Sequence, residues 1–143
     1  MDSELLPVFA GQACFEHRDF PLPKHSWARQ AAIAAKYFET LEPALGVEFR
    51  RHTLENFKQI PADGLPGHAA AFARRHGLDE ARTAAALADP VLAAAVEKDR
   101  QEGAANGVSR TPTLFVNGEP FVEVFTLEAI SASIAAAVKG GAQ

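Results

Sequence analysis

The sequence predicts an α/β fold: a small mixed sheet interrupted by a large helical insertion. Three observations carry this. Residues 12–18 (Gln-Ala-Cys-Phe-Glu-His-Arg) alternate weakly and read as a strand. A β-branched and aromatic run over 112–117 opens on Thr111-Pro112 and closes on Asn117-Gly118, a hairpin signal, before a returning strand over 120–124. Between these two regions apolar residues recur at three- and four-residue spacing, the period of helices. A strand, a helical crossover, a second strand and a hairpin together make a mixed sheet. The competing reading is a helical bundle with a peripheral hairpin.

Each element has its local reason. Residues 2–10 read as the last turns of a helix, stopped by Gly11, which suits the left-handed position after a helix end. Phe20-Pro21-Leu22-Pro23 ends the first strand, because proline cannot continue a ladder. Ser26 is the expected N-cap of a helix to about Leu41, with Trp27, Ala31, Ala34, Ala35, Phe38 and Leu41 as its apolar stripe. Pro43 and Gly46 are expected to break it. A second helix follows at about 47–59, carrying Phe49, Leu54 and Phe57. A turn from Pro61 to Gly64 leads to a third helix at about 65–76, ended by Gly77. A short helix at about 79–87 and a long one from Pro90 to Asn106 complete the helical stretch. Thr126 caps a final helix to about Val138, with Glu128 near its positive end and a frayed Gly140-Gly141 tail beyond. There is no internal repeat and no low-complexity linker.

Composition bounds the function. At 143 residues the chain is long enough for one domain with a real core. It is 48% apolar and 22% charged, with a net charge of −4 and scattered Lys and Arg, which disfavours nucleic-acid binding. Its apolar runs, such as Ala31 to Ala35, fall far short of the ~20 residues of a membrane span. Residues 1–20 lack the pattern of a signal peptide, and the compartment stays open. The single cysteine, Cys14, leaves no internal disulfide and no cysteine-rich metal site. Between Ala13 and Phe15 in a strand, it reads as a small buried hydrophobe with no helix N-terminus to stabilise its thiolate.

The five histidines (His17, His25, His52, His68, His76) show no metal-ligand spacing, so no metal and no cofactor are assigned. His68 and His76 share part of one helix face, and His25 sits beside a helix cap. Glu16 and Asp19 fall on opposite faces of the strand or past its end, which is unsuited to paired acid–base work. No Gly-x-Ser-x-Gly elbow supports a serine nucleophile. Trp27 and Phe38 read as core. No residue is assigned a catalytic role.

Four pieces, in order, resemble one family: Glu4-Leu5-Leu6-Pro7, Phe15 through Leu22 with its R-D-F-P-L exit, His25-Ser26-Trp27-Ala28 through Ala35, and Gly107-Val108 through Gly118 with its T-P-T and N-G. Together they resemble the DsbA-like branch of the thioredoxin superfamily, from residue 4 to about 138. The resemblance implies a single thioredoxin-like domain over 1–143, with a helical insertion at about 25–106 and a C-terminal ββα unit at about 107–138. It implies thiol–disulfide exchange on polypeptides, catalysed by a Cys-x-x-Cys pair at the start of the active-site helix. It also implies a cis bond at Pro112, with Arg110, Thr111 and Pro112 lining a groove that grips an extended substrate or a redox partner protein.

The departure is the cysteine pair itself. Met1 falls inside the equivalent helix, so the expectation is an N-terminally truncated chain that lacks the first core strand and is inactive as given. The gap in the sheet would close by pairing of the Cys14 strand with the 112–117 strand, or by a strand from a second copy in a homodimer. The alternative function is a non-catalytic peptide-binding or assembly module.

Overall fold

The computed structural model describes residues 7–140, and the chain divides into two compact units: Arg18–Ala105, and Met1–His17 with Asn106–Gln143. The first unit is helical: α1 (Ala28–Leu41), α2 (Pro43–Glu55), a 3-10 turn (Phe57–Gln59), α3 (Leu65–Arg75), α4 (Glu80–Ala86) and α5 (Pro90–Ala105).

The break expected at Pro43 is there, since α1 ends at Leu41 and Glu42 is extended, but Gly46 takes no part in it and the second helix starts at Pro43 rather than at about 47. Pro43 opens α2, at a position whose N–H would lack a helical partner anyway. Gly46 is buried inside α2, where an added Cβ would lie 2.7 Å from the Cβ of Glu39 and 3.1 Å from the Ala35 carbonyl oxygen. Glycine therefore lets α2 approach α1 rather than ending it. Ser26 does not cap α1. Its hydroxyl donates to the Ala62 carbonyl at 3.3 Å, and Trp27 takes the cap position without a side-chain cap bond. Asp79, by contrast, caps α4 by accepting from the backbone N–H groups of Ala81 and Arg82 at 2.8 and 3.1 Å.

Large rings set among small residues make the core of this unit. Phe38, Phe49 and Phe72 are fully buried, with ring centroids 4.9 to 5.1 Å apart. Ala34, Ala35, Ala69 and Ala73 pack around them and leave room for the rings. Trp27, Ile60 and Leu65 form a second cluster. Leu41 and Leu54, expected on apolar stripes, are exposed instead.

A network of charges ties residues 18–19 to three helices. Asp19 and Asp99 are only 8% and 7% exposed. The Asp19 backbone N–H donates to Asp99 Oδ2 at 3.0 Å, and Lys36 Nζ lies 2.8 Å from Asp99 and 3.8 Å from Asp19. Arg50 grips Asp19 through two bonds of 3.2 and 2.8 Å and reaches Glu39 at 2.8 Å. Burial by itself would lower the Arg50 pKa, but the hydrogen bonds and charges of Asp19 and Glu39 hold it above its ordinary value.

The other unit holds the sheet. Pro7 and Val8 are helical, Phe9 and Ala10 already turn rather than continue the helix expected over 2–10, and the backbone turns at Gly11 (φ 73°); residues 2–6 of that helix lie outside the described residues. The strand expected over 12–18 does not form. A strand exists only through a ladder, and among the described residues the single ladder joins β1 (Thr113–Val116) to β2 (Glu119–Val122). The sheet is accordingly two-stranded and antiparallel, not mixed, and the expected pairing of residues 12–18 with β1 is absent. Ala13 packs against the apolar cluster while Cys14 beside it is exposed, contrary to its expected burial.

The register pairs Thr113 with Val122 and Val116 with Glu119. Asn117 and Gly118 close the hairpin with φ of 47° and 91°, the two positive values that a two-residue turn of matching twist needs. Thr126 caps α6 (Leu127–Gly140) by accepting from the Ala129 N–H at 3.1 Å. Ile130 and Ile134 of α6, with Phe9, bury against Leu114, Val116 and Phe121.

Two stability predictions follow from the helical unit. Gly46→Ala forces a methyl group onto Glu39 and should cost about 1–3 kcal/mol in urea unfolding. Asp19→Ala removes the buried carboxylate that holds Arg50 through two bonds, leaving that guanidinium only Glu39, and should cost about 3 kcal/mol or more, with a double-mutant cycle against Arg50→Met showing coupling.

Candidate functional site

The loop entering β1 is built from local bonds. Thr113 Oγ1 donates to the Arg110 carbonyl at 2.7 Å and so fixes the two residues between them. The Thr111–Pro112 bond is cis, as the resemblance implied. The Pro112 carbonyl accepts from the Glu123 N–H at 2.8 Å, which extends the ladder one step past Thr113 and Val122. Arg110, Thr111 and Pro112 are all exposed.

Glu123 was not singled out by sequence reasoning, yet it organises the far side of this loop. Its φ of 57° is unusual for a residue with a Cβ and costs about 1 kcal/mol or more. Its carboxylate pairs with Arg110 Nη1 at 2.8 Å, but both side chains are well exposed and such pairs are worth little. Two backbone bonds outweigh it: the one to Pro112, and the Val124 N–H donating to the Val122 carbonyl at 2.6 Å. The only sequence signal for Glu123 is its place directly after a hairpin strand, where the ladder must stop.

The bond from Glu123 to Pro112 also sets the phase of the ladder. In an antiparallel pair, hydrogen-bonded and non-hydrogen-bonded positions alternate. Pro112, Leu114 and Val116 therefore turn their backbone groups toward β2. Thr113 and Phe115 turn theirs to the opposite edge, where no described strand pairs. On the face away from α6, Phe115 is 40% and Val122 46% exposed, with Val124 beyond them at 92%. The result is an open strand edge bordered by apolar side chains and entered through an exposed Arg-Thr-Pro loop.

A family model described as Thioredoxin matches residues 6–136. The chain belongs to the thioredoxin family. No curated protein and no solved structure matches it. In this thioredoxin-family chain, Arg110, Thr111 and Pro112, expected to line a groove, lie side by side in the exposed loop that enters β1. Cys14, the sole cysteine, is in the same compact unit and exposed. Among the described residues no group of three or more His, Cys, Asp or Glu could hold a metal ion, and no helix is long and apolar enough to cross a membrane.

Thr113→Val keeps the shape of the side chain but removes its bond to Arg110. It should cost about 1 kcal/mol and speed amide exchange in the Arg110–Thr113 loop, read by hydrogen-exchange mass spectrometry.

Proposed function

We propose that this thioredoxin-family chain is a member of the DsbA-like branch whose β1 edge holds extended polypeptide. The observation that carries the reading is the open edge itself, with the backbone N–H and C=O groups of Thr113 and Phe115 turned outward beside Arg110, Thr111 and Pro112. A client strand laid there gains main-chain hydrogen bonds, and alternate side chains fall beside Thr113 and Phe115. Arg110, steadied by Glu123, offers its remaining guanidinium donors to the client's carbonyl or carboxylate groups. The DsbA-like assignment draws support from the ordered motifs at 18–22 and 107–118, with the helices between them read as an insertion into a thioredoxin-like domain.

Thiol–disulfide exchange proceeds through a mixed disulfide that a second sulfur must resolve. Cys14 is the only thiol in this chain. Its residues thus supply the platform that grips a client, and the chain alone does not turn over disulfides. The same open edge favours a second reading: an assembly module in which β1 pairs with its counterpart in a second copy.

Titrating the isotope-labelled chain with a reduced, unfolded polypeptide should give its largest amide shifts at Thr113 and Phe115. Phe115→Asp should weaken that binding at least about tenfold, and insulin reduction by dithiothreitol should run no faster with the chain than without it. Shifts confined to residues away from β1 would remove the reading. A concentration-dependent dimer by sedimentation, with the same residues shifted and no peptide present, would favour the second one.

A further inference from the structure

Two imidazoles from α2 and α3 lie over the aromatic core of the helical unit. The rings of His52 and His68 stack with centroids 4.7 Å apart and planes 6° from parallel. His68 also lies 5.8 Å from the ring of Phe49, and His52 lies 6.0 Å from that of Phe72. The buried Thr53 hydroxyl sits 3.3 Å from His68 Nε2 and the Asn56 side-chain amide 3.1 Å from His52 Nδ1. The deciding contact is Arg75, whose Nη2 lies 2.7 Å from His52 Nε2. A guanidinium has donors only, and the Asn56 amide nitrogen faces Nδ1 as a donor too, so the surroundings favour a neutral ring that keeps a lone pair to accept.

We propose that the His52–His68 stack is an acid-sensitive latch between α2 and α3, closed while both rings are neutral and loosened when they take up protons. A proton on His52 Nε2 turns the bond from Arg75 into two opposed donors. A proton on each ring sets two cations face to face beside a third.

The other charged and titratable groups facing His52 do not relieve this. Glu48 and Glu55 come from α2 and His76 from α3, and Glu48 is already engaged with His76 at 3.2 Å. His68 also borders a cleft of about 280 Å³ lined by Asn56, Gln59, Ile60, Pro61 and Gly64, which gives water a route to the stack.

The direction of the pH effect follows. Burial, then the charge of Arg75, holds His52 below the ordinary 6.5, while Glu55 and Glu48 pull weakly the other way. Burial, then His52 and Arg75, holds His68 below 6.5 as well. Histidines depressed in the folded state contribute stability that is complete above the unfolded value. It drains away as pH falls from 6.5 toward the folded midpoints.

The test is an NMR titration of the histidine rings in the full chain, from about pH 8 to about pH 4.5, with amide hydrogen exchange followed across α2 and α3. Both rings should titrate below 6.5. Over the same interval, exchange corrected for its intrinsic pH dependence should quicken in α2 and α3, by about tenfold for each unit of depression. Arg75→Gln removes the charge of an exposed side chain whose guanidinium lies 5.8 Å from the Phe72 ring centroid; it should raise the His52 midpoint and flatten the acid dependence. Rings that titrate at or above 6.5, protection that stays constant through the titration, or a His52 midpoint unmoved by Arg75→Gln would each overturn the proposal.

Discussion

Every backbone N–H and C=O must be paired or hydrated, and a two-stranded ladder pairs only one edge of each strand. A lone hairpin is marginal in water, so this one depends on what covers it. α6 supplies the cover: Ile130 and Ile134 close over Leu114, Val116 and Phe121, and Phe9 seals the same cluster from the other end of the sequence. That arrangement settles one face and one edge. The opposite face leaves Phe115 and Val122 partly exposed, and among the described residues no strand pairs with the outer edge of β1. Natural proteins usually blunt such an edge, and here the residues of β1 carry no charge that would do so. An edge of this kind is the one that strand addition, in the function proposed above, would use.

The helical unit follows a different logic. Its three buried phenylalanines and their ring of alanines supply non-directional burial, which compacts the helices without fixing a unique approach. Direction comes from two specific contacts. Gly46 allows a backbone approach that no other residue would permit. The Asp19–Arg50–Lys36–Asp99 network demands one placement of residues 18–19 against α1, α2 and α5, because any other would leave a buried charge without its partner. Buried ion pairs seldom stabilise more than well-packed apolar side chains, so the value of this network is in specifying geometry rather than in adding net stability.

What could be read from the sequence divides along a physical line. Features set within a few residues were legible: the Asn117-Gly118 turn, the Thr126 cap, the left-handed Gly11, the hairpin and the α3, α4 and α5 segments. Features that depend on a distant partner were not. Residues 12–18 alternate as a strand should, yet alternation cannot supply the neighbour that a ladder needs, and so they form none. Gly46 looks like a breaker until a second helix is known to pass close by. At the candidate site, the Arg110-Thr111-Pro112 loop was marked by its motif, whereas Glu123 was visible only once the phase of the ladder was known. The His52–His68 stack is a contact between helices, and nothing in the spacing of either residue announces it.

Holding a polypeptide and reacting with it are separable physical tasks. The affinity of strand addition comes from main-chain donors and acceptors, which any client shares, and from shallow apolar contact that tolerates many side chains. Neither requires a thiol. Redox exchange requires a stabilised thiolate and a second sulfur within reach, properties of a few atoms at one point. In the function proposed for this chain the first task falls to the outer edge of β1, at Thr113 and Phe115, and to the loop before it. Cys14 contributes nothing to that geometry, because it lies outside the ladder that creates the open edge. A grip built in that way would not depend on the sulfur chemistry, because strand addition and thiol exchange draw on different atoms.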